Sequence, residues 1–100
     1  MELAPRITPQ TLKVLGAVTA RPHVSGADIA RETRLATGTL YPILLRLEAA
    51  GWLTSQWEEG DPRVLGRPRR RFYAITAEGA RAAQLAARDL QPAIGRLAWL

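Results

Sequence analysis

Apolar residues in the first half of the chain recur at intervals of three and four, which predicts short amphipathic helices. Thr8 is a good helix cap and Pro9 suits a first helical position, so the first helix is expected to run from here to about Ala20. Ser25 has the side chain to cap a second helix that ends near Arg34. The apolar face of the first helix comprises Leu12, Val14, Leu15 and Val18.

A third helix is predicted after the turn at Leu35–Ala36, with Thr37 or Thr39 at its start. Pro42 has no N–H and clashes one turn back, so it favours a helix start only a few residues earlier, or a slight kink. Gly51 supplies the left-handed residue that ends a helix. The buried stripe of this helix comprises Leu40, Ile43, Leu44 and Leu47.

The pattern then changes to the two-residue alternation of strands. Residues 53–58 form the first strand and residues 72–75 the return strand, with Gly and Pro in the connection between them. That connection is about a dozen residues long, which favours a mobile tip. Phe72, Ile75 and Trp52 are expected in the core.

Thr76 can cap a last helix, with Glu78 in its first turn. Its apolar residues follow a heptad-like seam that continues to Leu97, interrupted by a kink expected at Pro92. A small domain leaves little core for this seam to cover, so we expect it to form a dimer interface. The alternative is that the helix folds back on its own domain. The predicted interface residues are Ala83, Ala87, Leu90, Ile94 and Leu97.

These elements indicate an α+β, mostly α fold: a winged helix-turn-helix of three helices and a two-stranded wing, followed by a C-terminal dimerisation helix. The DNA-binding domain is expected to cover residues 1–75 and the dimerisation helix residues 76–100.

Positive charge is concentrated in one segment. The chain has a formal net charge of +5, and five arginines lie between Arg63 and Arg71. A basic loop between two strands is typical of a phosphate-binding wing. The alternative is a solvated loop without a ligand.

The residue content excludes several other functions. The chain has no cysteine and only one histidine, His23, so most catalytic triads and zinc sites cannot be built, and no enzyme activity, metal or cofactor is predicted. The chain has no apolar run long enough to span a membrane, and its start lacks the pattern of a signal peptide, so a cytoplasmic location is expected.

Two motifs extend over the third helix and the wing. They are Gly-Thr-Leu-Tyr-Pro at 38–42, continued by Leu-Arg-Leu-Glu-Ala-Ala-Gly-Trp-Leu at 45–53, and Gly-Arg-Pro-Arg-Arg-Arg-Phe-Tyr-Ala-Ile-Thr-Ala-Glu-Gly at 66–79. Both resemble motifs of the PadR family of bacterial transcription regulators. The resemblance implies a homodimeric repressor that binds double-stranded operator DNA. It also implies release by a small aromatic or hydrophobic effector. Only one helix follows the wing, so the chain looks like the subgroup with a short C-terminal helix.

Hydroxyl and arginine side chains around the third helix and the wing are the candidate DNA contacts. The alternatives are helix capping for Thr37 and Thr39, partial burial for Tyr41 and an ion pair for Arg46. Arg71 is a candidate support for the sheet. The predicted contacts are Arg34, Thr37, Thr39, Tyr41, Arg46, Arg67, Arg69 and Arg70.

Two further interpretations stay open. Trp99 is a candidate for stacking against a planar effector, the alternative being a packing tryptophan at the interface. The fold also suits a protein–protein interaction module that binds DNA only weakly, although such modules usually lack a basic wing.

Overall fold

The structure is a computed structural model that describes the backbone of residues 4–97 and the side chains of residues 4–89. Five helices and three short strands are interspersed along this part of the chain, as a mostly helical α+β fold. The elements are α1 Pro9–Thr19, β1 Val24–Ser25, α2 Gly26–Thr33, α3 Thr37–Ala49, β2 Leu53–Trp57, α4 Pro62–Leu65, β3 Arg71–Ile75 and α5 Ala77–Leu97.

The predicted caps of the first two helices are confirmed. The side-chain oxygen of Thr8 accepts a hydrogen bond from the N–H of Thr11 at 3.2 Å. That of Ser25 accepts one from Asp28 at 3.1 Å. Each bond satisfies an N–H group that the first helical turn leaves without a partner.

Helix α3 begins at Thr37, but Ala36 occupies the cap position and provides no side-chain hydrogen bond. The interpretation of Thr37 or Thr39 as a cap is therefore wrong. Pro42 lies inside the helix, more than one turn from its start, so the carbonyl of Gly38 faces no N–H group four residues on. Gly51 follows the helix at φ 80°, as predicted.

The sheet has three antiparallel strands in the order β1-β3-β2, one more than the two-stranded wing that was predicted. The additional strand is the two-residue β1, which pairs Val24 with Tyr73. Two residues are too few for an alternating pattern, and Ser25 within it also caps α2. Strands β2 and β3 form the predicted hairpin, with Ser55 opposite Tyr73.

The core lies between the three N-terminal helices and one face of the sheet. Burying each large aliphatic side chain contributes about 1.5–3 kcal/mol to folding. Trp52 is buried and Ile75 packs against the core, as predicted. Phe72 is only partly buried, because the alternation of β3 turns it to the sheet face opposite Tyr73. The fully buried large side chains are Val14, Leu15, Val18, Val24, Ile29, Leu40, Leu44, Leu47 and Leu53.

The connection between the two long strands contains a helical turn, α4, which was not predicted. The carboxylate of Asp61 accepts a hydrogen bond from the N–H of Arg63 at 2.9 Å, Pro62 opens the turn, and Gly66 at φ 73° closes it. Asp61, Pro62 and Gly66 thus occupy the cap, first helical and terminating positions that longer helices also favour for these residue types.

Helix α5 begins with the predicted cap, since the hydroxyl of Thr76 accepts a hydrogen bond from the N–H of Gly79 at 3.1 Å. The same hydroxyl donates to the carbonyl of Gly51 at 2.7 Å. Its first turns pack on the domain, where Ala82 and Ala83 contact the core. Across residues 4–97, no helix combines the length and apolar character needed to span a membrane.

Candidate nucleic-acid interface

A cleft of about 450 Å³ lies between the start of α2, the exposed side of α3 and the wing. We call it the wing cleft. Two of the predicted arginine contacts, Arg69 and Arg70, line it together with Tyr41. Its lining residues are Gly26, Ala27, Tyr41, Trp57, Pro68, Arg69, Arg70 and Arg71.

Tyr41 reaches this cleft from the exposed face of α3, and 47% of its surface is accessible. A Cβ atom added at Gly26 would lie 3.1 Å from the hydroxyl oxygen of Tyr41, so the small residue allows the ring to pack closely over α2. The Tyr41 hydroxyl therefore has a defined position at the cleft and can bond a phosphate oxygen there.

The other predicted contacts on α3 are also exposed. Thr37 and Thr39 lie in the first turn, and Arg46 lies near the end of the helix. Among the ion pairs of residues 4–89, none includes Arg46, so its alternative of pairing with a glutamate finds no support in this part of the chain.

Arg34 caps the end of α2 at φ 58° and ψ 24°, in the left-handed region. This conformation costs a residue with a Cβ atom about 1 kcal/mol relative to glycine. Its exposed side chain extends from the turn between α2 and α3. The backbone strain and the charge thus coincide at the centre of the helix-turn-helix.

Three of the five wing arginines are bound to other side chains of the domain. Arg63 lies 3.2 Å from Asp61, Arg67 pairs with Glu58, and Arg71 lies 3.6 Å from Glu48. Within residues 4–89, the described ion pairs do not include Arg69 or Arg70. These two arginines therefore carry the charge that the wing offers to a ligand.

The pair between Arg67 and Glu58 is bidentate. The two terminal nitrogens of Arg67 donate to the two carboxylate oxygens of Glu58 at 2.6 and 2.9 Å. These bonds, and after them the hydrogen bond from the N–H of Arg70, lower the pKa of the Glu58 carboxyl to about 2. The bonds to Glu58 also raise the pKa of Arg67. Arg67, predicted as a DNA contact, thus has its guanidinium turned to a carboxylate of its own domain.

Arg71 supports the sheet, as its alternative interpretation proposed. Its Nε and one terminal nitrogen donate to the hydroxyl of Ser55 at 2.9 and 2.7 Å. That hydroxyl donates to the carboxylate of Glu48 on α3. The guanidinium also lies 5.1 Å from the centre of the Trp57 ring. This network connects the wing to α3.

Sequence reasoning did not select two apolar side chains at this face. Leu45 is 69% exposed on the same side of α3 as Tyr41, one turn later. Trp57 is 56% exposed and lines the wing cleft. Leu45 could have been predicted as exposed because it lies outside the buried stripe of α3. Trp57 could have been predicted as exposed because it is the last residue of β2, beyond the core.

The predicted dimer residues lie mostly beyond the described side chains. Ala83 is partly buried against its own core and Ala87 is exposed. Leu90, Ile94 and Leu97 lie in the part of α5 whose side chains are not described, and Trp99 lies outside the described residues.

A second, apolar groove of about 770 Å³ separates the first half of α5 from the start of α1. The helix α5 contributes Ala82, Leu85, Ala86 and Asp89, a stripe beside the predicted seam. Trp52 lines the groove from the domain core. The start of α5 contacts the core through Ala82 and Ala83, and the apolar groove lies beside it.

A family model described as the transcriptional regulator PadR-like family matches residues 24–85. None of the curated proteins matches the chain in sequence. The matched segment contains α2, α3 and the whole wing, which are the elements that form the wing cleft.

Solved structures with the same fold include a PadR family transcription regulator from Clostridium difficile, with a TM-score of 0.76 and 20% identity over 92% of this chain and 97% of that one. The PcaV transcriptional regulator from Streptomyces coelicolor, in complex with its natural ligand, has a TM-score of 0.73 and 26% identity over 94% and 63%. A MarR mutant from E. coli, complexed with operator DNA, has a TM-score of 0.71 and 19% identity over 90% and 60%.

Proposed function

The chain belongs to the PadR-like family of transcriptional regulators, and from this premise we propose that it is a homodimeric repressor that binds double-stranded operator DNA. Helix α3 enters the major groove and the wing contacts the adjacent backbone. The family and the structural neighbours are regulators and not enzymes. The protein acts in the cytoplasm, where bacterial DNA is transcribed.

The observation that carries this proposal is the wing cleft. It is lined by Tyr41, Arg69 and Arg70, which carry a hydroxyl and two guanidinium groups. Phosphate oxygens accept hydrogen bonds from both kinds of group, and arginine adds the electrostatic attraction on which DNA affinity largely depends. Thr37, Thr39, Arg34 and Arg46 are the proposed contacts on and beside α3, and the MarR fold that resembles this chain was solved with operator DNA.

Dimerisation is assigned to residues 76–100, appended to a DNA-binding domain of residues 1–75. The proposed interface comprises Ala87, Leu90, Ile94 and Leu97, together with Ala83, which also contacts its own core. Two copies of α3 would then face two half-sites about one helical turn of DNA, roughly 34 Å, apart. The two-fold symmetry of such a dimer predicts an operator with approximate two-fold symmetry.

Release by a small aromatic or hydrophobic effector completes the proposal. The Streptomyces coelicolor regulator with a similar fold was solved with its natural ligand. Trp99 is the proposed stacking residue, and a fluorescence screen with planar compounds tests it. Quenching that accompanies DNA release supports an effector site, whereas no quenching by any planar or phenolic compound counts against Trp99.

The DNA-binding proposal is tested by reversing the charge of Arg69 and Arg70 together. The double variant Arg69→Glu/Arg70→Glu should lose most of its affinity for duplex DNA, and its log–log salt slope should decrease by about 2. Arg6→Glu/Arg81→Glu changes the same charge at exposed residues outside the cleft and serves as the control. Equal affinity of the two double variants would exclude the wing contact and favour the protein-interaction module.

A further inference from the structure

We propose that Glu58 and Arg67 are positioning residues that close the wing loop and hold Arg69 and Arg70 at the wing cleft. The inference rests on the proposed DNA-binding function. In this proposal Arg67 binds Glu58 within the wing and does not contact a phosphate. Glu58, although negatively charged, then favours the binding of anionic DNA.

The loop between β2 and β3, residues 58–70, is fixed by a side-chain pair. Glu58 directly follows β2, and Arg67 follows the turn of α4, so their bidentate pair joins the start of the loop to the segment that leads into Arg69 and Arg70. Two parallel N–H···O bonds fix the angle of the guanidinium as well as its distance from the carboxylate. A loop closed in this way loses much of the freedom that its length would otherwise give it.

Glu58 also holds the backbone of Arg70. Its carboxylate accepts from the N–H of Arg70 at 3.3 Å, and its own N–H donates to the carbonyl of Arg70 at 2.7 Å. Arg70, which lines the cleft, is thus bonded through its backbone to Glu58. Arg67 further donates to the carbonyl of Pro68 at 3.2 Å, next to Arg69.

Glu59, the neighbouring acid, differs from Glu58 in its contacts. Glu59 carries the same charge one residue later and is exposed, and among residues 4–89 no described ion pair includes it. Glu59 would only repel phosphates, whereas Glu58 repels them and also orders the arginines that bind them. Substitution of the two acids by glutamine therefore has opposite expected effects.

The experiment compares Glu58→Gln with Glu59→Gln in titrations of the full chain against duplex DNA from upstream of its own gene. Glu59→Gln should bind about twofold more tightly, because a like charge is removed near the phosphates. Glu58→Gln removes the same charge but should bind roughly five- to fiftyfold more weakly, because the loop must then be ordered on binding. Binding by Glu58→Gln that equals or exceeds that of Glu59→Gln would overturn the proposal.

A double-mutant comparison separates positioning from direct phosphate contact by Arg67. If the two residues act as one pair, Glu58→Gln/Arg67→Met should bind no more weakly than Glu58→Gln alone, because Arg67 has already lost its partner in that background. If Arg67 contacts a phosphate directly, its loss should weaken binding further in the Glu58→Gln background, and the assignment is wrong.

Limited trypsin cleavage without DNA distinguishes failure of this inference from failure of the DNA-binding proposal. Glu58→Gln should be cut faster after Arg69 and Arg70 than either Glu59→Gln or the wild type, since only the first opens the loop. Equal cleavage rates in all three proteins would overturn the loop closure whether or not DNA binds. A wild type that binds no duplex would refute the DNA-binding proposal, and the cleavage rates alone would then decide the closure.

Discussion

At the scale of single residues, Arg34 combines a backbone cost with a charge near the DNA-binding face. It lies at φ 58° and is exposed. Arg34→Gly should raise the free energy of unfolding by up to about 1 kcal/mol, because glycine tolerates this conformation. The same change should weaken DNA binding and decrease the salt slope by about 1 if Arg34 contacts a phosphate. Chemical denaturation and DNA titration measure the two effects separately.

The control for this change is Arg31→Gln, which removes an equal charge from an exposed arginine on α2. Its effect on the salt slope should be smaller than that of Arg34→Gly. A stabilised Arg34→Gly protein with an unchanged slope would remove Arg34 from the list of DNA contacts.

Glu58 gives a prediction about pH. Its carboxyl pKa falls from an ordinary 4.5 to about 2, first because of the hydrogen bonds from Arg67 and then because of that from the Arg70 backbone. His23 lies across a neighbouring groove from Glu58. A lowered folded-state pKa means that the stabilisation by Glu58 is complete above pH 4.5 and is lost as the pH falls towards 2.

The melting temperature of the wild type should therefore exceed that of Glu58→Gln by a constant amount between about pH 5 and 7. The difference should shrink between pH 4.5 and 2. Thermal melts followed by circular dichroism at these pH values measure it, with Glu59→Gln as the control. A difference that disappears already above pH 4.5 would mean that the carboxyl is not held by Arg67.

At the scale of elements, the join between β3 and α5 depends on a glycine. A Cβ atom added at Gly79 would lie 2.2 Å from the carbonyl oxygen of Trp52, a backbone atom that cannot turn away. Gly79→Ala should therefore destabilise the domain by about 1–3 kcal/mol. Denaturant titration measures the change.

Gly16→Ala is the matched control for this prediction. Gly16 is also helical, and a Cβ atom there meets no described atom within 4 Å. Alanine should stabilise α1 by about 0.5–1 kcal/mol through its higher helix propensity. If Gly79→Ala destabilises the domain and Gly16→Ala stabilises it, the cause is the close approach of backbone at Gly79. If both changes destabilise the domain, the cause is not specific to Gly79.

The long elements were predictable because their signals are local. Thr8, Ser25, Gly51 and Thr76 mark the predicted element boundaries through cap chemistry that depends only on nearby backbone. The short elements were not predictable in the same way. Strand β1 exists because Val24 reaches Tyr73, far away in the sequence, and such pairing leaves no periodic pattern in two residues.

Three of the predicted contacts, Tyr41, Arg69 and Arg70, line one cleft, but the sequence did not predict the ion pairs within the wing. In the sequence, the arginines from Arg63 to Arg71 were considered without the acids that precede them. Two of those acids bind wing arginines: Asp61 binds Arg63, and Glu58 binds Arg67. Charge density in a sequence does not say which guanidinium groups are already matched by carboxylates. Only the structure distinguishes Arg67, which is paired, from Arg69 and Arg70.

At the scale of the whole molecule, the proposed repressor consists of two copies of the chain. Leu90→Glu/Ile94→Glu places two charges in the proposed interface and should shift the protein to a monomer with much weaker operator binding. Sedimentation at micromolar concentration, with Gln84→Glu on the exposed side of α5 as the control, measures the shift. A wild type that sediments as a monomer, or a variant that stays dimeric, would contradict this use of α5.

Specific DNA binding by the wing cleft and α3 is the central claim, and a salt titration tests it most directly. The protein is titrated against the duplex from upstream of its own gene and against a scrambled duplex of equal length, at two salt concentrations. A repressor of this kind should bind with a steep salt dependence and favour the native duplex by about a thousandfold or more. Equal, weak binding to both duplexes, with little dependence on salt, would contradict it.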